Sequence, residues 1–131
     1  MTGVVIDASA LLSLLLSNDQ RAAILRQSIA DADVMAPTIL PYQVTNVIRR
    51  WESDGRLPHQ AAEAACRGLA EFDVELWQWA TLADRVWQLR GSITSYDASY
   101  VALAEIVNCP LLTADAKLAA MAPPSCQVVL V

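Results

Sequence analysis

The chain has 131 residues, 55% of them hydrophobic and 18% charged, and a formal net charge of −5. That length and composition suit one folded domain over residues 1–131 with a real core, and they exclude an extended disordered chain. The acidic balance disfavours indiscriminate DNA binding or attachment to an anionic membrane, although a local basic patch stays open.

In chain order, the β-branched run from Gly3 to Ile6 predicts a buried strand. The apolar stretch Ala8 to Leu16 predicts a helix, and Asp19 to Ala32 a second. Val34 to Ala36 reads as a short strand stopped by Pro37. Thr38 to Asp54 reads as a helix, because Leu40, Val44, Val47, Ile48 and Trp51 repeat with the spacing of one buried face. Gly55 follows as its terminator. Pro58 opens an alanine-rich helix to Ala70. Val74 to Leu76 is a weak strand, Trp77 to Leu89 a helix ending near Gly91, and Ser95 to Val107 a helix with Tyr96, Tyr100, Leu103 and Val107 on one side. Leu111 to Thr113, Asp115 to Met121 and Val128 to Val131 close the chain as strand, short helix and strand. Strands alternating with helices imply an α/β fold with a parallel sheet.

Cys66, Cys109 and Cys126 are odd in number and lack metal or CxxC spacing, so they read as small buried hydrophobes in a reducing compartment. Strand-like residues start at Val4 without a charged leader, and no apolar run reaches the roughly 18 residues of a membrane span. The expectation is a cytoplasmic protein with no membrane partner.

Three carboxylates share an address. Asp7 ends the first strand in VVIDASAL. Asp115 follows the Leu111–Thr113 strand in LLTADAKL. Asp97 lies in the first turn of the Ser95 helix in TSYDASYVALAE. In an open α/β sheet the carboxyl ends of the strands border the ligand crevice. Each aspartate alone reads as a helix cap, and Thr94 with Asp97 suits a capping box. Together they would repel one another and raise one another's pKa, which a hard divalent cation relieves. There is no glycine-rich phosphate loop. His59, the only histidine, starts a polar helix and reads as a surface residue. An acid-only site suits metal-assisted phosphodiester hydrolysis.

The segments VVIDASAL, ILPYQVTNVIRR, TSYDASYVALAE and LLTADAKLA, in this order and spacing, resemble the PIN-domain nucleases, and among them the toxin half of VapBC toxin–antitoxin pairs. The resemblance covers Val4 to Val131. It implies a three-layer α/β/α domain around a parallel sheet of four to five strands. It implies an endoribonuclease that depends on Mg²⁺ or Mn²⁺, commonly a homodimer, neutralised by a cognate antitoxin. The family's acidic positions fall on Asp7, position 43, Asp97 and Asp115, with Ser9 and Thr113 as supporting hydroxyls.

Position 43 departs from that pattern, because Gln43 stands where the family usually has glutamate. Glutamine keeps the shape and one carbonyl acceptor but not the charge. A catalytically weakened or dead domain that binds RNA or antitoxin without cutting is therefore the alternative. Arg49, Arg50 and Arg56, with Lys117 close to Asp115, are the candidate contacts to RNA phosphates. A receiver-like signalling domain also uses strand-end acids around Mg²⁺, but it has two adjacent acids early, and Asp7 has no acidic neighbour.

Overall fold

The computed structural model describes residues 3–131, and its organisation follows from where β1 (Gly3–Ile6) lies. Val5 and Ile6 are fully buried, as only a central strand allows. The remaining elements are α1 (Ala8–Leu16), α2 (Gln20–Ile29), β2 (Asp33–Pro37), α3 (Leu40–Ser53), α4 (His59–Glu71), β3 (Glu75–Trp77), α5 (Trp79–Gln88), α6 (Ser95–Val107), β4 (Leu111–Thr113), α7 (Ala116–Met121) and β5 (Val128–Leu130). All five strands are parallel, in the order β3-β2-β1-β4-β5.

Right-handed crossovers turn that order into layers. The chain moves from β1 to β2 to β3 in one direction, which puts α1 to α4 on one face. It then returns past β1 to β4 and β5, which puts α5 to α7 on the other. The packing agrees: α1 touches α2, α3 and α4, while α6 packs on α5 and lies over β1, β2 and β4. The result is the three-layer α/β/α arrangement. Between β1 and β4 the connections leave to opposite faces, and this reversal opens a crevice at the carboxyl ends of those two strands.

The core is one continuous cluster that includes Leu11, Leu40, Val44, Ile48, Leu82, Leu103 and Leu111. Each such side chain contributes about 1.5–3 kcal/mol through burial. The stripe on α3 is as expected, with Leu40, Val44 and Ile48 buried and Val47 half-buried. Gly55 ends the turn after α3 at φ +76°, a conformation that favours glycine.

Several expectations change. Pro37 is the last residue of β2, paired with Trp77, and the sheet continues past it through Thr38 N–H donating to the Trp77 carbonyl at 3.0 Å. A proline at a strand end forfeits no needed bond. Helix α3 begins at Leu40, with Pro41 in its first turn. On α6 the buried surface runs all round from Ala98 to Ala104, because small residues there let the helix lie close on the sheet. Of the residues placed on one side of this helix, Tyr100 and Leu103 are buried, whereas Tyr96 is 60% exposed. Cys66 is exposed on α4, Cys109 is half-buried and only Cys126 is buried, so the reading of all three as buried hydrophobes fails for Cys66. His59 is exposed, between Glu52 and Glu63.

Candidate active site

Asp7 follows β1 and caps α1, its Oδ1 accepting the Ala10 N–H at 3.0 Å. The same oxygen accepts the Ser9 hydroxyl at 2.7 Å, and Oδ2 accepts the Thr113 hydroxyl at 2.5 Å. Asp7 is only 6% exposed. Burial pushes its carboxyl above the ordinary carboxylate range. The hydroxyls of Thr113 and Ser9 and the Ala10 N–H pull it back, and the charge of Asp115 raises it again.

Thr113 is fully buried and works in two directions. It donates to Asp7 and accepts the Asp115 backbone N–H at 3.0 Å. Ser9 lies 3.2 Å from Thr113 and accepts the Ala114 N–H at 2.9 Å. These bonds hold the ends of β1 and β4 to one another through Ser9 and Thr113. Asp115 caps α7 through the Lys117 and Leu118 N–H groups.

Asp97 enters from the other layer. Thr94 caps α6 by accepting the Asp97 N–H at 3.2 Å, which is the first half of the capping box read from the sequence, without a return bond from Asp97. Burial raises the Asp97 carboxyl, the charges of Asp115 and Asp7 raise it further, and Lys117 and Thr94 oppose them. All three aspartates therefore share one field of like charge. They are caps or first-turn residues as well as members of that cluster. Among the described residues, no three His, Cys, Asp or Glu side chains are gathered closely enough to clasp an ion by themselves.

Gln43 sits half-buried in the first turns of α3, and its Oε1 accepts the Tyr100 hydroxyl at 2.7 Å. Tyr100, one turn beyond Asp97 on α6, is itself buried, and burial with the charges of Asp7 and Asp97 holds its phenol protonated. The sequence places Tyr100 on one side of the helix with Leu103 and Val107 and assigns it no role at the site. Its spacing from Asp97 was the signal that it borders the acids.

A cleft of about 550 Å³ opens beside the cluster, lined by Arg90, Thr94, Asp97, Asp115 and Lys117. Of the basic residues expected to meet RNA, only Lys117 lies in it. Arg49 and Arg50 are two turns along α3 from Gln43, with Arg49 bonded to Asn46. Arg56, past the end of α3, stacks 5.0 Å from the centre of the Trp51 ring. Arg90 was missed, since nothing in its sequence neighbourhood ties it to the aspartates.

The PIN domain model matches residues 4–123. The chain belongs to the PIN domain family. Ribonuclease VapC9 of Mycobacterium tuberculosis is 34% identical over 128 residues, with 98% of each chain covered. PAE2754 from Pyrobaculum aerophilum has a TM-score of 0.70 at 25% identity, covering 98% of this chain and 91% of its own. VapBC2 from Rickettsia felis, solved with a DNA fragment from its promoter, has a TM-score of 0.70 at 12% identity and covers 97% of both chains. The relatives carry VapC names, and this PIN domain groups with them.

Proposed function

We propose that this VapC-type PIN domain is an endoribonuclease toxin that cuts RNA phosphodiester bonds with Mg²⁺ or Mn²⁺ and is neutralised by a cognate antitoxin. The observation that supports the reading is the link from the Asp7 carboxylate through the Thr113 hydroxyl to the Asp115 backbone N–H, with Asp97 near enough to feel the charge of both, at the reversal between β1 and β4. Relatives named ribonucleases support the activity, and a neighbour solved as a VapBC pair supports the antitoxin.

The donor set is hard oxygen, which suits Mg²⁺ or Mn²⁺. Mg²⁺ keeps several of its waters and needs only one or two carboxylates, so a clasp of three is not required. Asp7, Asp97 and Asp115 would hold the cation. When bound, it would lower the pKa of a water and offset charge on the phosphoryl oxygens. Ser9 and Thr113 fix the rotamer of Asp7 and leave the outer lone pairs of its carboxylate for other partners. Gln43 turns its carbonyl to Tyr100, and its amide NH₂ is left to hold a water or a phosphate oxygen. Lys117 lies beside Asp97, where it can meet a phosphate.

A homodimer is also part of this reading. Tyr42 is 74%, Trp79 69% and Tyr96 60% exposed around an apolar groove of about 360 Å³, close in sequence to Gln43 and Asp97. Exposed apolar patches of this kind mark protein interfaces. The deciding experiment is RNA cleavage by the purified chain in Mn²⁺, with and without chelator. Cleavage that survives the chelator, or no cleavage in either condition, would sink the reading.

A further inference from the structure

The basic residue best placed to grip substrate is one that the acidic cluster does not explain. Arg90 lies just beyond α5, in the wall of the cleft that holds Asp97 and Asp115. Its guanidinium carbon is 4.2 Å from the centre of the Trp87 ring. Its Nη1 donates to the Trp87 carbonyl at 2.8 Å. One face and one donor are thereby fixed, and the other donors of the fork remain open.

One other arginine offers a contrast. Arg85 is spent on Glu105, with its Nε and Nη2 at 2.7 and 3.0 Å from the carboxylate. Arg90, like the remaining arginines, has no carboxylate within ion-pair distance among the described residues, and it alone of them lines the cleft with Asp97 and Asp115. Arg90 is exposed, stacked on an aromatic ring and set in the lining of a cleft shared with Asp97 and Asp115, so its open donors are free to meet an anion that enters. Lys117 contributes a second positive charge to the same cleft.

We infer that Arg90 is a substrate-positioning residue that grips a backbone phosphate of single-stranded RNA, with Lys117 beside it, while the aspartates face the bond to be cut. This rests on the ribonuclease reading of the site. It also moves the RNA path away from the Arg49–Arg50–Arg56 group at the far end of α3. The Trp87 ring acts through Arg90 by holding the guanidinium where a phosphate arrives, so that little side-chain entropy is lost on binding.

The test compares two stacked arginines. The affinity of the full chain for a fluorescein-labelled, mixed-sequence single-stranded RNA is followed against salt in chelator, for the parent, Arg90→Gln, Arg90→Lys and Arg56→Gln. Each phosphate contact on a single strand contributes roughly 0.7 to the slope of log K against log salt. Arg90→Gln should flatten the slope by about that much and weaken binding roughly tenfold, at an unchanged melting temperature. Arg90→Lys should restore the slope but not the full affinity. Arg56→Gln, equally stacked on a tryptophan but outside the cleft, should change neither. In Mn²⁺ the Arg90→Gln loss should appear in KM more than in kcat.

An unchanged slope for Arg90→Gln, or an equal loss for Arg56→Gln, overturns the assignment while the parent still cuts RNA. Salt-dependent binding lost with Arg90, in a parent that does not cut, supports Arg90 and removes the nuclease. No RNA binding by the parent overturns both.

Discussion

Tyr100 donates its phenolic hydrogen to the side-chain carbonyl of Gln43 at 2.7 Å, which ties α6 to α3 beside Asp97. The family's usual glutamate would sit at this point, in a field already negative from Asp7 and Asp97. Gln43→Glu should therefore lower the melting temperature in chelator, because a fourth carboxylate joins the repulsion. Millimolar Mn²⁺ should reverse that loss. Cleavage should rise by roughly 10- to 100-fold, the usual size of a ligand or supporting-residue change. Melts in both conditions and an RNA assay check this; lower stability in both, with no gain in cleavage, places Gln43 outside the site.

The Tyr100–Gln43 bond has a measurable coupling. Tyr100→Phe keeps the ring and removes the donor, which should cost about 1 kcal/mol, since the half-buried Gln43 can turn to water. A double-mutant cycle with Gln43→Ala should return about 0.5–1.5 kcal/mol of interaction. Additive losses would mean that the bond does not couple the helices.

Thr113→Val replaces a fully buried hydroxyl with a methyl of similar size. Asp7 loses the donor to Oδ2, and the Asp115 N–H loses its acceptor. The expected cost at neutral pH is about 1–3 kcal/mol. Its pH dependence has a definite sign. The Thr113 bond favours the charged form of Asp7, so the difference between parent and variant should shrink as acid protonates Asp7. Asp7 in the parent titrates above its ordinary 3.8, hence this convergence starts above that value. Urea unfolding in chelator from about pH 7 down to about pH 4 reads it.

Arg85 and Glu105 give a separate acid-sensitive link between α5 and α6. Arg85, through its bonds and its charge, holds the Glu105 carboxyl below the ordinary 4.5, with help from the Ser125 hydroxyl. A lowered carboxylate contributes stability above its unfolded value and loses it as pH falls through the folded one. Arg85→Met should cost about 1–3 kcal/mol at neutral pH, and the deficit should fade below about pH 4.5. A constant deficit down to strong acid would assign the loss to packing.

Much of this architecture was legible because it depends on local chemistry. Val4 to Ile6, the α3 stripe and Leu111 to Thr113 carry their periods openly, and Asp7 and Asp115 sit at strand ends where caps are needed. Ser9 and Thr113 were found through the family pattern, and the structure gives their reason as a hydroxyl bridge. What escaped was long-range. The Tyr100 bond to Gln43 spans 57 residues, and the closeness of Arg90 to Asp115 depends on how α5, α6 and α7 lie together. No periodicity encodes such meetings. Cys66 was misread for a related reason: a small apolar residue on a helix is buried only when another layer covers its face.

The central place of β1 has a consequence for synthesis. Strand β1 cannot find its second neighbour until the ribosome has passed Leu111, and Asp7 cannot meet the Thr113 hydroxyl, 106 residues further on, any sooner. Non-local pairings of this kind are late events in folding. A stalled or broken product lacking β4 would carry Asp7 on an exposed strand edge, without Thr113 or Asp115. For a domain read as a cutter of RNA, the message being translated is a nearby substrate, and this strand order keeps the acids apart until β4 has been made.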